Sequence, residues 1–305
     1  MRKFIVAALV LLVGGLAAFF ALTAPRRAVA NDPALEQGGD IERGRIVFYA
    51  GGCASCHATP GQDNRLLLGG GLELKSPFGS FYAPNISSHP DDGIGRWRTA
   101  DLANAMLAGV APDGTHYYPS FPYASYSGVK LEDARDLMAF LRTTPPVEGR
   151  AREHELGFPF NIRRTLGVWK ALYAPVPAPL RDDSGRPASW NRGRYLVEVL
   201  GHCAECHSPR NALGGIVAAQ RHAGGPDPEG KGWVPNITPH GMKGWTRGDI
   251  EQLLDLGMTP EGDSVGGSMT SVVRNMAQLS RDDRLALADY LLSLPPREGP
   301  QNPKR

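Results

Sequence analysis

The hydrophobic pattern of this chain opens with its one continuous apolar run. Arg2 and Lys3 precede a stretch from Phe4 to Leu22 that holds no charged residue. Its 19 residues approach the roughly 20 that a helix needs to cross a bilayer. The apolar core of a cleaved signal peptide is shorter, about 7–15 residues. Even so, Ala28-Val29-Ala30 would serve as a small-residue cleavage site. Arg26 and Arg27 on the far side run slightly against the expected charge asymmetry. The run predicts a retained anchor, with a removed signal as the alternative, and both export the rest of the chain.

Beyond it the apolar positions take a helical period in short pieces. Asp40 is placed to cap a helix through Ile41, Ile46 and Phe48 that Gly51-Gly52 ends. Thr99 should cap a second helix carrying Leu102, Met106 and Leu107 on one face, closed by Gly109. A third runs from about Leu131 to Thr143 and stops at Pro145-Pro146. Capping pairs at Thr246 with Asp249, and at Ser280 with Asp283, start two more. Long stretches between them are loops, in keeping with 37 glycines and 26 prolines.

The pattern then repeats. Cys53 and Cys203 are 150 apart, and Pro84-Asn85-Ile86 and Pro235-Asn236-Ile237 are 151 apart. Trp97 to Trp245, Asp101 to Asp249 and Gly109 to Gly257 are each 148, and Pro145-Pro146 to Pro295-Pro296 is 150. Near-constant offsets at six landmarks indicate an internal duplication. They divide the chain into an anchor or signal segment over 1–30, a first unit over 31–149, a connector over 150–188, a second unit over 189–296 and a tail over 297–305. The connector carries Phe158, Phe160, Trp169, Leu172 and Tyr173, which a free tether would not need, before the proline-rich Pro175 to Pro187. The two units are therefore expected to dock.

Composition adds little until the cysteines are counted. A net charge of +2 over 305 residues implies neither nucleic acid nor an acidic partner. All four cysteines lie in Cys53-Ala54-Ser55-Cys56-His57 and Cys203-Ala204-Glu205-Cys206-His207. In this spacing two thiols on one helical turn can each form a thioether to a haem vinyl group, and the following histidine can reach the iron. Zinc ribbons place their pairs about 15–20 residues apart and need no such histidine. A dithiol redox motif would need a βαβ context that the pattern lacks. The motifs predict two covalently bound haem c groups, with His57 and His207 as iron ligands.

The opposite face of each iron decides between carrying electrons and binding a molecule. Met269, between Gly266-Gly267-Ser268 and the last helix, is placed to supply a thioether there. An offset of 148 carries Met269 back to Phe121, which cannot coordinate iron. His116 is a candidate substitute, and Met106 a weaker one on a face that reads as core. Asn85, Asn236, Trp97 and Trp245 recur in both units and could bond haem propionates or the ligand loop. Turn formation and plain packing are their ordinary roles. His89, His154, His202, His222 and His240 read as surface or hydrogen-bonded residues.

Together these residues give an all-α fold of two tandem cytochrome c-like domains. The chain resembles the dihaem members of the membrane-associated bacterial cytochrome c family, related to the cytochrome subunits of alcohol and gluconate dehydrogenases. The resemblance runs from about Arg43 to Pro296. It rests on both haem motifs, Arg43-Gly44-Arg45, Pro77-Phe78-Gly79, Gly93-Ile94-Gly95-Arg96-Trp97 and Tyr118-Pro119-Ser120-Phe121-Pro122-Tyr123, and on Arg192-Gly193-Arg194-Tyr195-Leu196 and Ser208-Pro209-Arg210-Asn211. It implies Met269 as an axial ligand, a methionine where this chain has Phe121, and a non-ligand histidine near His116. It further implies single-electron transfer on the periplasmic side of the inner membrane. The donor would be a periplasmic dehydrogenase or another reductant, and the acceptor a terminal oxidase, a quinone pool or a small cytochrome. A dihaem peroxidase-like oxidoreductase or a gas sensor with an open first haem is the alternative, motivated by Phe121.

Overall fold

The computed structural model describes residues 1–230 and 232–303, so the last two positions of the expected tail lie outside the described residues. The first helix, α1, spans Arg2–Leu22, and none of its residues is buried against the rest of the protein. After a short 3-10 turn come α2 (Ile41–Ala50) and α3 (Cys53–His57). A hairpin of β1 (Glu73–Ser76) and β2 (Gly79–Tyr82) precedes α4 (Thr99–Ala108), α5 (Tyr123–Tyr126) and α6 (Leu131–Leu141). The connector contributes β3 (Glu155–Leu156) and α7 (Leu166–Tyr173). Next, α8 (Ala188–Tyr195) runs on as a π-helical stretch, Leu196–Leu200. The remainder holds β4 (Gly225–Pro226), β5 (Trp233–Val234), α9 (Arg247–Leu256), α10 (Met269–Met276) and α11 (Arg281–Leu292).

Local chemistry explains where these elements start. The Asp40 carboxylate accepts the Arg43 N–H at 2.8 Å, and Thr246 and Asp249 bond reciprocally at the start of α9. Ser280 accepts from the Asp283 amide at 3.1 Å. Thr99 is instead the first residue of α4, because Arg98 and Asp101 close that end and Glu36 accepts the Thr99 N–H at 2.7 Å. The body is helical as expected, with little strand. The loop after the first motif folds into β1 and β2, and β3 from the connector adds to them.

Two helix crossings organise the body, α2 on α6 and α8 on α11, and each depends on one glycine. A Cβ on Gly44 would lie 2.0 Å from the Asp136 carbonyl oxygen, and one on Gly193 1.9 Å from that of Ala286. Arg43 pairs with Asp136 at 2.7 Å beside the first crossing, and Arg192 with Asp283 at 2.8 Å beside the second. Phe48, Leu68, Leu102 and Leu137 share one continuous apolar core with Leu196, Leu200, Ile250 and Leu287. Neither clashing atom belongs to a flexible side chain, so the helices must separate to admit a methyl group. Gly44→Ala or Gly193→Ala is expected to destabilise the fold by about 3 kcal/mol, read from the denaturant midpoint.

Candidate functional site

The residue before the first cysteine of each motif is left-handed, with φ of 63° at Gly52 and 38° at His202. Glycine adopts this freely, whereas His202 holds it with its ring 5.4 Å from that of Tyr126. The turn that comes next places both cysteines and the histidine together. The Nδ1 of His57 lies 2.8 Å from the Pro84 carbonyl oxygen, and that of His207 lies 2.8 Å from Pro235. A carbonyl can only accept, so Nδ1 carries the proton and Nε2 keeps its lone pair. That is the tautomer an iron ligand needs, held by the bond that orients the ring. Burial lowers the pKa of both imidazoles, to about 4 for His207.

None of the four cysteines is in a disulfide, and burial pushes the Cys53 and Cys203 thiols up to about 12. Among the described residues no three of His, Cys, Asp and Glu gather as metal ligands. The set therefore suits thioether formation better than a thiolate cage. Arg65 donates to the Ala54 carbonyl and Arg210 to that of Glu205, each at 2.6 Å. Both leave a buried Nε–H with no partner, a donor available to an acidic edge beside each motif. The residues present fit haem c.

The halves meet through these motifs. Ser55, inside the first motif, accepts from the Asn275 amide of α10 at 2.8 Å. Glu205, inside the second, accepts from the Ser125 hydroxyl of α5 at 2.6 Å. Adding 150 turns Ser55 into Glu205 and Ser125 into Asn275, so the two bonds exchange when the halves exchange. Each motif thus packs against the other half's segment just after the expected sixth-ligand position. Tyr195 fastens the same face, accepting from the Lys130 amide at 3.1 Å and donating to Asp133 at 2.5 Å.

The two positions expected to face the irons have different surroundings. Met269 is the first residue of α10, not a loop residue, and packs half-buried against the core. Phe121 lies in an aromatic group instead, its ring 5.7 Å from Tyr117 and 5.6 Å from Tyr126. Met106 is buried in the core on α4. His116 is buried, but its Nε2 lies 2.9 Å from the Thr23 carbonyl at the end of α1. His116 therefore holds the exit of the first helix, which corrects its candidacy as a ligand.

The asparagines also bond the backbone. Asn85 donates to the Val147 and Gly149 carbonyls at 2.7 and 2.9 Å and accepts from the Ser87 amide. Asn236 donates to Arg297 at 2.7 Å and accepts from Thr238. Each ties the strand of chain after its half's last helix to the loop beneath the histidine. Trp97 and Trp245 are half-buried against the core.

Sequence reasoning missed one buried polar cluster. Glu198 accepts from Tyr290 at 2.8 Å, pairs with Arg221 at 2.6 Å and meets His222 Nε2 at 2.8 Å. In the first half Phe48 and Phe140 pack there instead, with ring centroids 5.1 Å apart. The π-helical stretch explains the exchange. It inserts one residue, so the offset changes from 149 at Gly44 and Gly193 to 150 at Cys53 and Cys203. A glutamate inside the apolar Leu196 to Leu200 was the available signal.

Burial alone would raise the Glu198 pKa, but the His222 bond and the Arg221 charge take it down to about 2. Its ordinary value is 4.5, so the carboxylate stabilises the fold above that pH, and the contribution is lost as pH falls towards about 2. The difference corresponds to about 3 kcal/mol. Glu198→Gln is expected to lower stability by up to that amount at pH 7, with the gap from wild type narrowing at pH 3, in urea unfolding.

Known proteins are similar to this chain over most of its length. Residues 41–145 match the cytochrome c family profile. A dihaem cytochrome c-type protein of Cereibacter sphaeroides is 49% identical over 299 residues, covering 97% of this chain and 99% of its own length. A nicotinate dehydrogenase subunit of Pseudomonas putida is 37% identical across 83% of this chain, which spans 21% of that protein. The fructose dehydrogenase cytochrome subunit of Gluconobacter japonicus is 34% identical across 90% of this chain, which spans 55% of that protein. The chain thus spans about a fifth and about half of these two relatives.

Proposed function

Since this chain belongs to the cytochrome c family, among its dihaem members, and carries two covalently bound haem c groups, we propose that it relays single electrons between a dehydrogenase and a respiratory acceptor. Bound haem c supplies an iron that gains and loses one electron. Cys53, Cys56, Cys203 and Cys206 hold the two groups covalently, and His57 and His207 bind iron through Nε2. Met269 supplies the second sixth ligand. Its thioether raises that site's potential relative to a ligand-free or nitrogen-ligated one.

The observation that carries this reading is the exchangeable pair of bonds, Ser55 to Asn275 and Ser125 to Glu205. They support reading 31–149 and 189–296 as two cytochrome c-like domains docked through the faces that carry the motifs. The likeness to dehydrogenase cytochrome subunits supports a periplasmic dehydrogenase as donor. An oxidase, a quinone pool or a small cytochrome would be the acceptor.

The segment after α1 supports a retained membrane anchor. Thr23 is 4% exposed, and the Ala28 and Val29 amides both donate to Asn104 Oδ1, at 2.7 and 2.9 Å. Arg27 adds a bond to the Pro112 carbonyl at 2.6 Å. Cleavage after Ala30 would strip all of these from a buried face.

Phe121 favours a second reading for the first haem alone, an open iron that binds a small gas or a peroxide. Electron paramagnetic resonance and optical spectra with and without carbon monoxide separate the readings. The relay is expected to show no carbon monoxide adduct at the second site. A high-spin ferric signal and an adduct at the first site would assign that iron to ligand binding, and adducts at both sites would refute the relay.

A further inference from the structure

The connector shows an outward apolar face that the relay does not use. Phe158 is 81% exposed and Leu172 61%, with Phe160, Ile162 and Val168 also exposed. In α7 the inward residues are Leu166 and Gly167, while Val168, Ala171 and Leu172 form an apolar stripe at i, i+3 and i+4 facing out. Between Glu155 and Asp182 the chain has no acidic residue, but it has Arg163, Arg164, Lys170 and Arg181. Trp169 and Tyr173 pack together beside the stripe, with ring centroids 5.4 Å apart and planes tilted by 52°. Apolar, aromatic and basic residues without acidic ones are the composition of a membrane-interface segment.

Its position gives the occupant. A Cβ on Gly167 would lie 2.5 Å from Thr23 Cβ, so α7 touches the residue at which α1 ends. Arg164 bonds the Thr23 hydroxyl at 3.0 Å and the Phe20 carbonyl, and its guanidinium lies 5.3 Å from the Phe20 ring. His116 holds the Thr23 carbonyl from the other side. Lys170 joins α7 to the body, donating to the Ala108 and Gly109 carbonyls at 2.7 Å. The connector is therefore bolted to the last turn of the apolar helix and to the body at once. Where α1 leaves a bilayer, α7 lies beside it.

We propose that Phe158, Phe160, Ile162, Val168 and Leu172 sit in the headgroup and acyl boundary of the membrane that α1 crosses. This rests on reading α1 as a retained span. The body is then held in one orientation on the bilayer, presenting its relay to partners at a fixed height.

The native cysteines are consumed by haem, so a single introduced cysteine takes a nitroxide label cleanly. Labels at Phe158→Cys, Val168→Cys and Leu172→Cys are read in full-length protein reconstituted into phosphatidylcholine–phosphatidylglycerol vesicles. Controls are Leu12→Cys within α1 and Glu261→Cys on an exposed loop. Collisions with lipid-soluble oxygen are expected to exceed those with a water-soluble nickel chelate several-fold at all three sites and at Leu12, and the reverse at Glu261. If Leu12 reads lipid but the three sites match Glu261, the proposal is overturned. If the three sites become protected only when a dehydrogenase is added, the face belongs to a protein and the proposal is equally overturned. If Leu12 itself reads water, the span reading fails and takes the proposal with it.

Discussion

Replacing Cys203 and Cys206 together by alanine is expected to halve the covalently bound haem and to unfold most of the second half. Trp245, Ile250, Leu254 and Met269 pack towards the same core as the motif, and Trp245 and Met269 are only partly covered by protein. A haem buries a large apolar area against such residues, each worth about 1.5–3 kcal/mol when fully buried. Removing it leaves a cavity that α9 and α10 cannot fill without collapsing the crossing of α8 and α11. The first half keeps its own motif and crossing at Gly44. The pyridine haemochrome absorbance per chain should fall to half, and the helical circular dichroism signal should fall with it.

The second large effect concerns Met269 and Phe121 as a reciprocal pair. Met269→Ala is expected to make the second ferric haem high-spin and to lower its midpoint potential, because the softening thioether is gone. Phe121→Met should do the opposite at the first haem. The two positions are 148 residues apart in a duplicated scaffold, so a thioether at 121 starts from the corresponding place. Its approach requires Tyr117 and Tyr126 to yield the space they share with the Phe121 ring. Paramagnetic resonance of each variant, with a potentiometric titration, reads both outcomes. If neither substitution changed a spin state, the sixth-ligand assignment would be wrong.

Much of this is legible in local sequence, because caps, glycine stops and the five-residue motif act over a single turn. Asp40, Gly51-Gly52 and the Thr246 and Asp249 pair each act within a few residues, and the helices start or stop there. The duplication is legible for another reason, since subtraction needs no geometry. What escapes depends on contacts across long separations. The bond from Asn275 to Ser55 spans 220 residues, and no periodicity reports it.

His116 and the two asparagines mislead for a related reason. Their side chains suit a cofactor as well as they suit a backbone carbonyl, and only the fold shows the bonds to Thr23, Val147 and Arg297. Met269 reads as a loop residue because Gly266-Gly267 precedes it, yet α10 starts on it directly. Glu198 is hidden by its apolar neighbours until the π-helical insertion turns it towards Tyr290.

The central claim is that this chain holds two haems as a one-electron relay. Coulometric reduction of the full-length protein, monitored by optical absorption, tests it most directly. The account predicts two electrons taken up per chain, in two separate and reversible one-electron steps, the higher-potential one lowered by Met269→Ala. A single step, uptake of one electron per chain, or a higher-potential step unaffected by Met269→Ala would contradict it.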